Sequence, residues 1–354
     1  MSQARPVVAV TGLEGRDNPY PGVSIARALR AARGDAVGIV GLSYEPTLTG
    51  NYRADLFDRV YTTPLPGDPA ATLLRRILEI HAECPIDVLI PALDSELALF
   101  TSHRDLLGEH GIRLVVPSPQ AVKARYKQRL FEWARSHSIP SPRTEVVTKP
   151  ETFWEQESWS FPCFLKGPLA DAVRVRSLPE AVAVYHRLVG RWGYPVLAQE
   201  PVVGTEVDVC AVVDPSGTTA GSICIQKTVL SRAGKGIGAE VLDCPEALAA
   251  AEEVIAALCW EGPLEVEMIR EASSGRFFLL EVNARFPAWI GMCPQAGLNL
   301  PDLLLRIALG EPLPEDRQAR PGTRFLRGSR TTITDVGRLG ELLSTGRLIH
   351  TTSG

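Results

Sequence analysis

Glu267, Glu281 and Asn283 are the residues whose types and spacing suggest chemistry, and the chemistry is cation binding. They lie in Gly262 to Pro287, GPLEVEMIREASSGRFFLLEVNARFP, where two apolar-rich runs flank Ser273-Ser274-Gly275. A three-residue loop ending in glycine is a standard hairpin connection, because glycine supplies the left-handed conformation. If Ala272 and Arg276 close that loop, counting back sets Glu267 opposite Glu281, with Asn283 two residues further on. The three then share one face unless a bulge shifts the register. Opposed like charges destabilise a sheet, so something positive is expected between the two acids. Two carboxylates and an amide form an oxygen-only set, suited to a hard cation such as Mg²⁺ that keeps several waters and is shared with phosphate. Arg285 continues the alternation and would add a cationic fork. The competing reading is a solvated hairpin with ordinary surface acids, against which Phe277, Phe278, Leu279 and Leu280 make the strand too apolar to lie open.

The elements that must position these residues follow from the rest of the chain. At 354 residues it is long for one core and implies two or three domains. Its 45% hydrophobic and 22% charged residues are those of an ordinary soluble globular protein, and a formal net charge of -4 argues against a general nucleic-acid binder. The amino terminus, MSQARPVVAVTG, has an apolar run too short for a signal peptide or a membrane span, so a cytoplasmic protein is expected. Seven cysteines without a Cys-x-x-Cys pair read as reduced thiols, and six histidines without His-Glu-x-x-His exclude the usual zinc hydrolase.

The first third alternates strand and helix, with strands at Pro6 to Val10, Val37 to Leu42, Val60 to Thr62, Val88 to Pro91 and Arg113 to Val116. This pattern implies a parallel sheet covered on both faces, a Rossmann-type layer. Asp68-Pro69 and Ser118-Pro119 both read as a capping side chain before a first-turn proline. Gly12, Gly15 and Gly22 in the first loop could hold a phosphate or carboxylate, or could serve only the turn. Their spacing departs from the dinucleotide fingerprint, which leaves NAD binding as a weak alternative. Asp94 lies either at a ligand-binding carboxyl end of the sheet or in a helix cap. Beyond residue 120 the rhythm changes. A helix from Ala121 to His137 precedes paired strands at Phe161 to Lys166 and Val173 to Val175, then strands at Pro195 to Glu200, Thr205 to Val213 and Gly221 to Thr228, an α+β pattern with antiparallel sheets. The arginine-rich end after Pro312 reads as a solvated basic extension in preference to a docking tail, with Leu339, Leu342 and Leu343 suggesting that part of it packs as a helix.

Together these residues resemble the ATP-grasp superfamily over nearly the whole chain. Glu281-Val282-Asn283-Ala284-Arg285-Phe286-Pro287 looks like the family's E-x-N-x-R run, and Glu267 matches the ligand one strand earlier. The nearest pattern is that of the carbamoyl-phosphate synthetase, biotin carboxylase and pyrrolysine-pathway ligase branch. The resemblance implies a Rossmann-like preliminary domain over residues 1–119, small and large grasp subdomains over 120–197 and 198–315 that clasp ATP between antiparallel sheets, and the basic extension over 316–354. It makes Glu267, Glu281 and Asn283 ligands of one or two Mg²⁺ ions, and Lys127 and Lys166 the phosphate-reaching lysines, a role suited to point charges. It further implies Glu200 and Val202 for the adenine edge and Glu206 for the ribose hydroxyls. One departure is clear: where the family often has a glycine-rich phosphate loop, this sequence has Gly167-Pro168-Leu169-Ala170-Asp171-Ala172. The later Ala233-Gly234-Lys235-Gly236-Ile237-Gly238 could line an acceptor site, with Lys227 and Arg232 nearby.

The expected activity is that of a Mg²⁺- and ATP-dependent ligase joining a carboxylate to an amine, an amino acid or peptide, through an acyl phosphate, with Lys166 and Arg285 serving the transfer. A second possibility is a non-catalytic nucleotide-binding module that docks a protein partner. A third, an oxidoreductase, rests on Gly12, Gly15 and Gly22 alone. Small-molecule or peptide substrates are the expected partners, with no nucleic acid and no membrane. The sequence leaves the oligomer open, related enzymes often being homodimers.

Overall fold

A computed structural model describes residues 5–13, 20–155, 159–168, 171–230, 236–328 and 331–350. Gly15, Leu169, Ala170, Arg232, Ala233, Gly234 and Lys235, to which the sequence assigned roles, lie outside the described residues. Strands β1 (Val7–Val10), β2 (Gly38–Ser43), β3 (Arg59–Thr62) and β4 (Val88–Ile90) pair in parallel in the order β3-β2-β1-β4. Their near-continuous apolar runs are explained by burial on both faces: Val8 and Val10 enter one core and Ala9 the opposite one. Arg113 to Val116, expected as a strand, contributes only an isolated bridge from Arg113 to Val88. Ser118 caps as expected, its hydroxyl accepting from the Ala121 N–H at 3.1 Å. Asp68 instead accepts from the Leu65 N–H at 2.9 Å, closing the turn before the helix Ala70–Glu83.

The glycines of the first loop answer to packing. Gly12 has φ +70, and a Cβ on Gly22 would stand 1.9 Å from the Thr11 carbonyl oxygen, so no larger residue fits this turn. Beside it lies Glu96, completely buried, its Oε2 accepting from Thr11 Oγ1 at 2.6 Å while Oε1 has no partner among the described residues. Burial pushes its carboxyl up to about 8, against the lowering pull of the Thr11 and Tyr44 hydroxyls. A carboxyl raised on folding contributes stability that is full below its unfolded value and is lost as pH rises through the folded one. Urea melts are therefore expected to lose up to about 1.4 kcal/mol per pH unit across that interval, and Glu96→Gln is expected to flatten the slope. An unchanged slope in that variant would assign the pH dependence elsewhere.

The second sheet comprises β5 (Thr144–Val147), β6 (Cys163–Lys166), β7 (Ala172–Val175) and β8 (Val196–Gln199), antiparallel in the order β5-β8-β6-β7. The third holds β9 (Gly204–Val213), β10 (Thr219–Leu230), β11 (Gly236–Val241), β12 (Gly262–Glu271), β13 (Phe277–Asn283) and β14 (Arg324–Leu326), antiparallel in the order β13-β12-β9-β10-β11-β14. Alternation along β9 divides its faces: Val207, Val209, Ala211 and Val213 share a core with the helix Pro245–Leu258, while Cys210 and Val212 share one with Leu300–Leu309. The second of these faces runs on past Cys210 to Asp208 and Glu206, where the acids gather.

The stretch after residue 316 is not a solvated extension. It supplies β14 to the third sheet, then the helix Val336–Thr345 and β15 (Arg347–Ile349), which pairs antiparallel with β3 at the edge of the first sheet. Leu342 and Leu348 anchor it, each only 1% exposed. Their apolar burial outweighs the arginine count that suggested a solvated tail.

Candidate active site

The hairpin sets Glu267 opposite Glu281 and Glu265 opposite Asn283. It does so by two compensating irregularities. The loop is one residue longer than expected, since Glu271 rather than Ala272 pairs with Arg276, the Glu271 N–H donating to the Arg276 carbonyl at 2.9 Å. A bulge between Glu267 and Met268, opposite Leu280, then restores the register. Glu267 also lies opposite Asp208 on β9, and Asp208 opposite Ile225 on β10, so Glu206, Asp208, Lys227, Glu265, Glu267, Glu281 and Asn283 occupy one face of four strands.

The positive charge expected between the acids is supplied by lysines. Lys227 Nζ stands 3.1 Å from Asp208, 3.2 Å from Glu267 and 3.3 Å from Glu206, while Lys127 Nζ stands 3.2 Å from Glu281. Burial alone would lower the Lys227 ammonium, but Glu267, Asp208 and Glu206 hold it well above the usual lysine value. Burial works to raise Glu267 as well, and Lys227 overcomes it and keeps that carboxyl below its ordinary value. Glu265, 5% exposed, is pushed up to about 7 by burial and then by Glu267; its Oε1 accepts from Trp289 Nε1 at 2.8 Å and its Oε2 from Asn283 Nδ2 at 3.2 Å.

Arg285 joins the first sheet to the third. Its Nε donates to Asp94 Oδ2 at 3.0 Å and its second terminal nitrogen to Asn283 Oδ1 at 3.3 Å, with Glu265 at 3.7 Å. Asp94 is therefore neither a free carboxylate nor a cap. It begins the helix Asp94–Ser102, whose cap position is Leu93, and it is clamped by Arg285 and by Arg125 at 2.9 Å. Arg125 also explains why the helix expected over Ala121 to His137 breaks into Pro119–Ala124 and Lys127–Ser136. Its guanidinium is tied to Asp94 and to the Val282 carbonyl at 3.3 Å, Tyr126 is extended, and Lys127 opens the second helix beside Glu281.

Lys166 ends β6 and has no ion-pair partner among the described residues. Burial, reinforced by Lys127, lowers its ammonium, and Glu281 opposes the shift. Lys127, Lys166, Leu197, Gln199, Leu279 and Leu280 line one cleft between the second sheet and the hairpin. Between β8 and β9 the arrangement is different. Glu200 Oε1 accepts from the Arg143 N–H at 2.8 Å and its own N–H donates to the Arg143 carbonyl at 3.0 Å, so this exposed carboxylate already ties β8 to β5. Val202 is half-buried in the connection to β9.

The structure thus brings together Glu206, Glu267, Glu281, Asn283, Arg285 and Lys127, with Lys166 facing them, and leaves Glu200 and Val202 in the connection between β8 and β9. Lys227, expected beside the loop at Gly236, lies against that glycine and carries its ammonium in among the acids. Asp208 and Glu265 went unread, although Glu206-Val207-Asp208 and Glu265-Val266-Glu267 each place a second acid at the strand period. Arg327 also went unread. It follows β14 two residues after Phe325, with burial lowering its guanidinium and Glu265 opposing.

A family profile described as "ATP-grasp in the biosynthetic pathway with Ter operon" matches residues 195–330. No curated protein matches the sequence. Among solved structures, the biotin carboxylase domain of the Hydrogenobacter thermophilus 2-oxoglutarate carboxylase, described as a dimer with MgADP, ADP and bicarbonate, superposes with a TM-score of 0.66 at 17% identity, covering 90% of this chain and 73% of that one. An L-amino acid ligase from Bacillus licheniformis gives 0.64 at 15% identity over 86% and 74% of the two chains. The ADP complex of an N5-carboxyaminoimidazole ribonucleotide synthetase gives 0.69 at 17% over 89% and 79%.

Proposed function

We propose that this chain, an ATP-grasp protein by its fold and by the family profile over residues 195–330, is an ATP- and Mg²⁺-dependent ligase that joins a carboxylate to an amine. The substrates we infer are an amino acid or peptide, and the products include ADP and phosphate. One observation carries this reading: Glu267, Glu281, Asn283 and Arg285 share a sheet face onto which Lys127 and Lys166 converge from two other elements. In the same reading the first sheet is the Rossmann-like domain, and the second and third sheets are the two halves of the grasp. The protein would work in the cytoplasm on small substrates, as a homodimer. No helix among the described residues is long and apolar enough to cross a membrane.

The donor chemistry fits Mg²⁺. Glu267, Glu281 and Asn283 offer only oxygens that suit a hard ion, and among the described residues no three His, Cys, Asp or Glu side chains are placed to enclose a metal by themselves. Water and phosphate would complete the shell, as is usual for this ion. When bound, the ion would supply charge neutralisation at the transferring phosphoryl group. Lys127 and Lys166 would bind phosphate oxygens, the second favoured because its ammonium has no ion-pair partner among the described residues. Glu206 would accept from the ribose hydroxyls, Glu200 and Val202 would face the adenine edge, and Arg285 would orient the carboxylate as its oxygen attacks the γ-phosphorus and ADP departs with the electrons of the β,γ P–O bond, leaving an acyl phosphate. The amine then attacks the acyl carbon, phosphate departs with the C–O bond, and the amine proton is lost.

Phosphate release measured across amino acids, peptides and small acids is expected to show Mg²⁺-dependent turnover with at least one carboxylate–amine pair. ATP binding without turnover would support the second reading, a nucleotide-binding module that docks a protein partner. That reading draws on the connection between β6 and β7, where Lys166 pairs with Ala172 and the Gly167 N–H donates to the Asp171 carbonyl at 3.1 Å, removing one backbone donor from any phosphate. Under it, ATP raises the melting temperature while ADP and phosphate fail to accumulate.

A further inference from the structure

We propose that Lys227 is a positioning residue, a built-in ammonium that Asp208 holds in place so that it fixes Glu267 for the cation and Glu206 for the nucleotide as one unit. The inference rests on the ligase reading above and deepens it. Three observations carry it. First, both oxygens of Glu267 are held, Oε2 by Lys227 at 3.2 Å and Oε1 by Asn283 Nδ2 at 2.7 Å, which leaves the carboxylate one orientation. Second, the same ammonium reaches Glu206 at 3.3 Å, so the carboxylate read as serving the ribose and the one read as serving the ion share a counter-charge.

Third, Asp208 has no evident purpose except to hold Lys227. It is 1% exposed, so it lies beneath the face that a ligand would touch, and no donor other than the Lys227 ammonium reaches its oxygens among the described residues. Among the described residues Lys227 is its one ion-pair partner, at 3.1 Å. Burying a carboxylate with so little compensation is costly. The arrangement is intelligible if the acid serves to fix a cation whose other contacts face the site. A surface lysine could not do this, because its four-carbon stem would sample many positions, whereas here the side chain is only 14% exposed.

Binding of Mg²⁺ and a non-hydrolysable β,γ-imido ATP analogue, measured by calorimetry with the full chain, tests this without reference to turnover. Lys227→Met is expected to weaken Mg²⁺-dependent binding by roughly 10- to 100-fold, the range for residues that orient metal ligands, while Lys227→Arg recovers most of the loss. Because Lys227→Met leaves Asp208 buried without a counter-charge, the double variant Lys227→Met with Asp208→Asn removes both charges. It is expected to fold and to show the same loss of binding. Wild-type affinity in the folded double variant would overturn the positioning role and leave the ligase reading intact. Failure of the wild-type chain to bind the analogue at all would overturn both.

Discussion

Glu281→Ala is expected to abolish Mg²⁺-dependent phosphate release, with kcat lower by roughly 100- to 1,000-fold and the fold retained. Glu281 lies opposite Glu267 on the hairpin, and its Oε2 holds Lys127, which lines the cleft, at 3.2 Å. It also provides the strongest opposing pull on the lowered Lys166 ammonium. Removing the carboxylate deletes one oxygen donor of the proposed ion and leaves Lys127 and Lys166 facing each other with less compensating charge. Both effects bear on the γ-phosphate, where charge is redistributed during transfer. Stability should suffer little, because the side chain is 29% exposed and Glu281 lies on the site face, across the strand from the core residue Val282. Phosphate release and a thermal melt on the same preparation check both halves. A folded variant with wild-type turnover would remove Glu281 from the chemistry and the ligase reading with it.

The hairpin was legible in the sequence because period-two alternation and a glycine loop are local signals. Its register, inferred from an ideal loop, came out right because the longer loop and the bulge opposite Leu280 cancel. Neither irregularity leaves a compositional mark, so the pairing of Glu267 with Glu281 could as easily have been missed by one residue. The helices Pro245–Leu258 and Leu300–Leu309 carry local signals of a similar kind, each opening on proline near its first turn, with the second closing on left-handed Gly310.

Long-range partnership was what the sequence withheld. Nothing near Leu348 says that β15 will close the edge of a sheet begun at Val7, because the pairing partner β3 is nearly three hundred residues away. Arg125 likewise looks like one more exposed charge in a helix until Asp94 and the Val282 carbonyl are brought to it. Lys227 does lie against Gly236, as the reading of β10 with its following loop implied, but that local reading gave no sign that its ammonium answers to acids on β9 and β12. Only Asp208 and Glu265 were recoverable by a local rule, each standing one alternation from an acid already noticed.

The second large effect is expected at Arg285, and here stability and catalysis should separate. Arg285→Ala removes the counter-charge 3.7 Å from Glu265 on β12 and the donor 3.0 Å from Asp94 at the start of the helix Asp94–Ser102. Asp94 keeps Arg125, but Glu265, 6% exposed at its side chain, keeps only its neutral donors and the more distant charges of Lys227 and Arg327. Breaking a buried pair from one side costs about 3–5 kcal/mol, which should appear as a lower urea midpoint, with the docking of the first sheet on the third weakened. Arg285→Lys retains the charge and should recover most of that stability. It loses the planar fork, which lets one side chain address Asp94, Asn283 and a substrate carboxylate together. The lysine variant is therefore expected to melt near wild type yet fall roughly 100-fold or more in kcat/KM, the scale set by loss of one oriented donor to a developing charge. A lysine variant with full kcat/KM would reduce Arg285 to an inter-domain tie, and the carboxylate would then have to be oriented by another cation on this face, for which Arg327 is the first to examine.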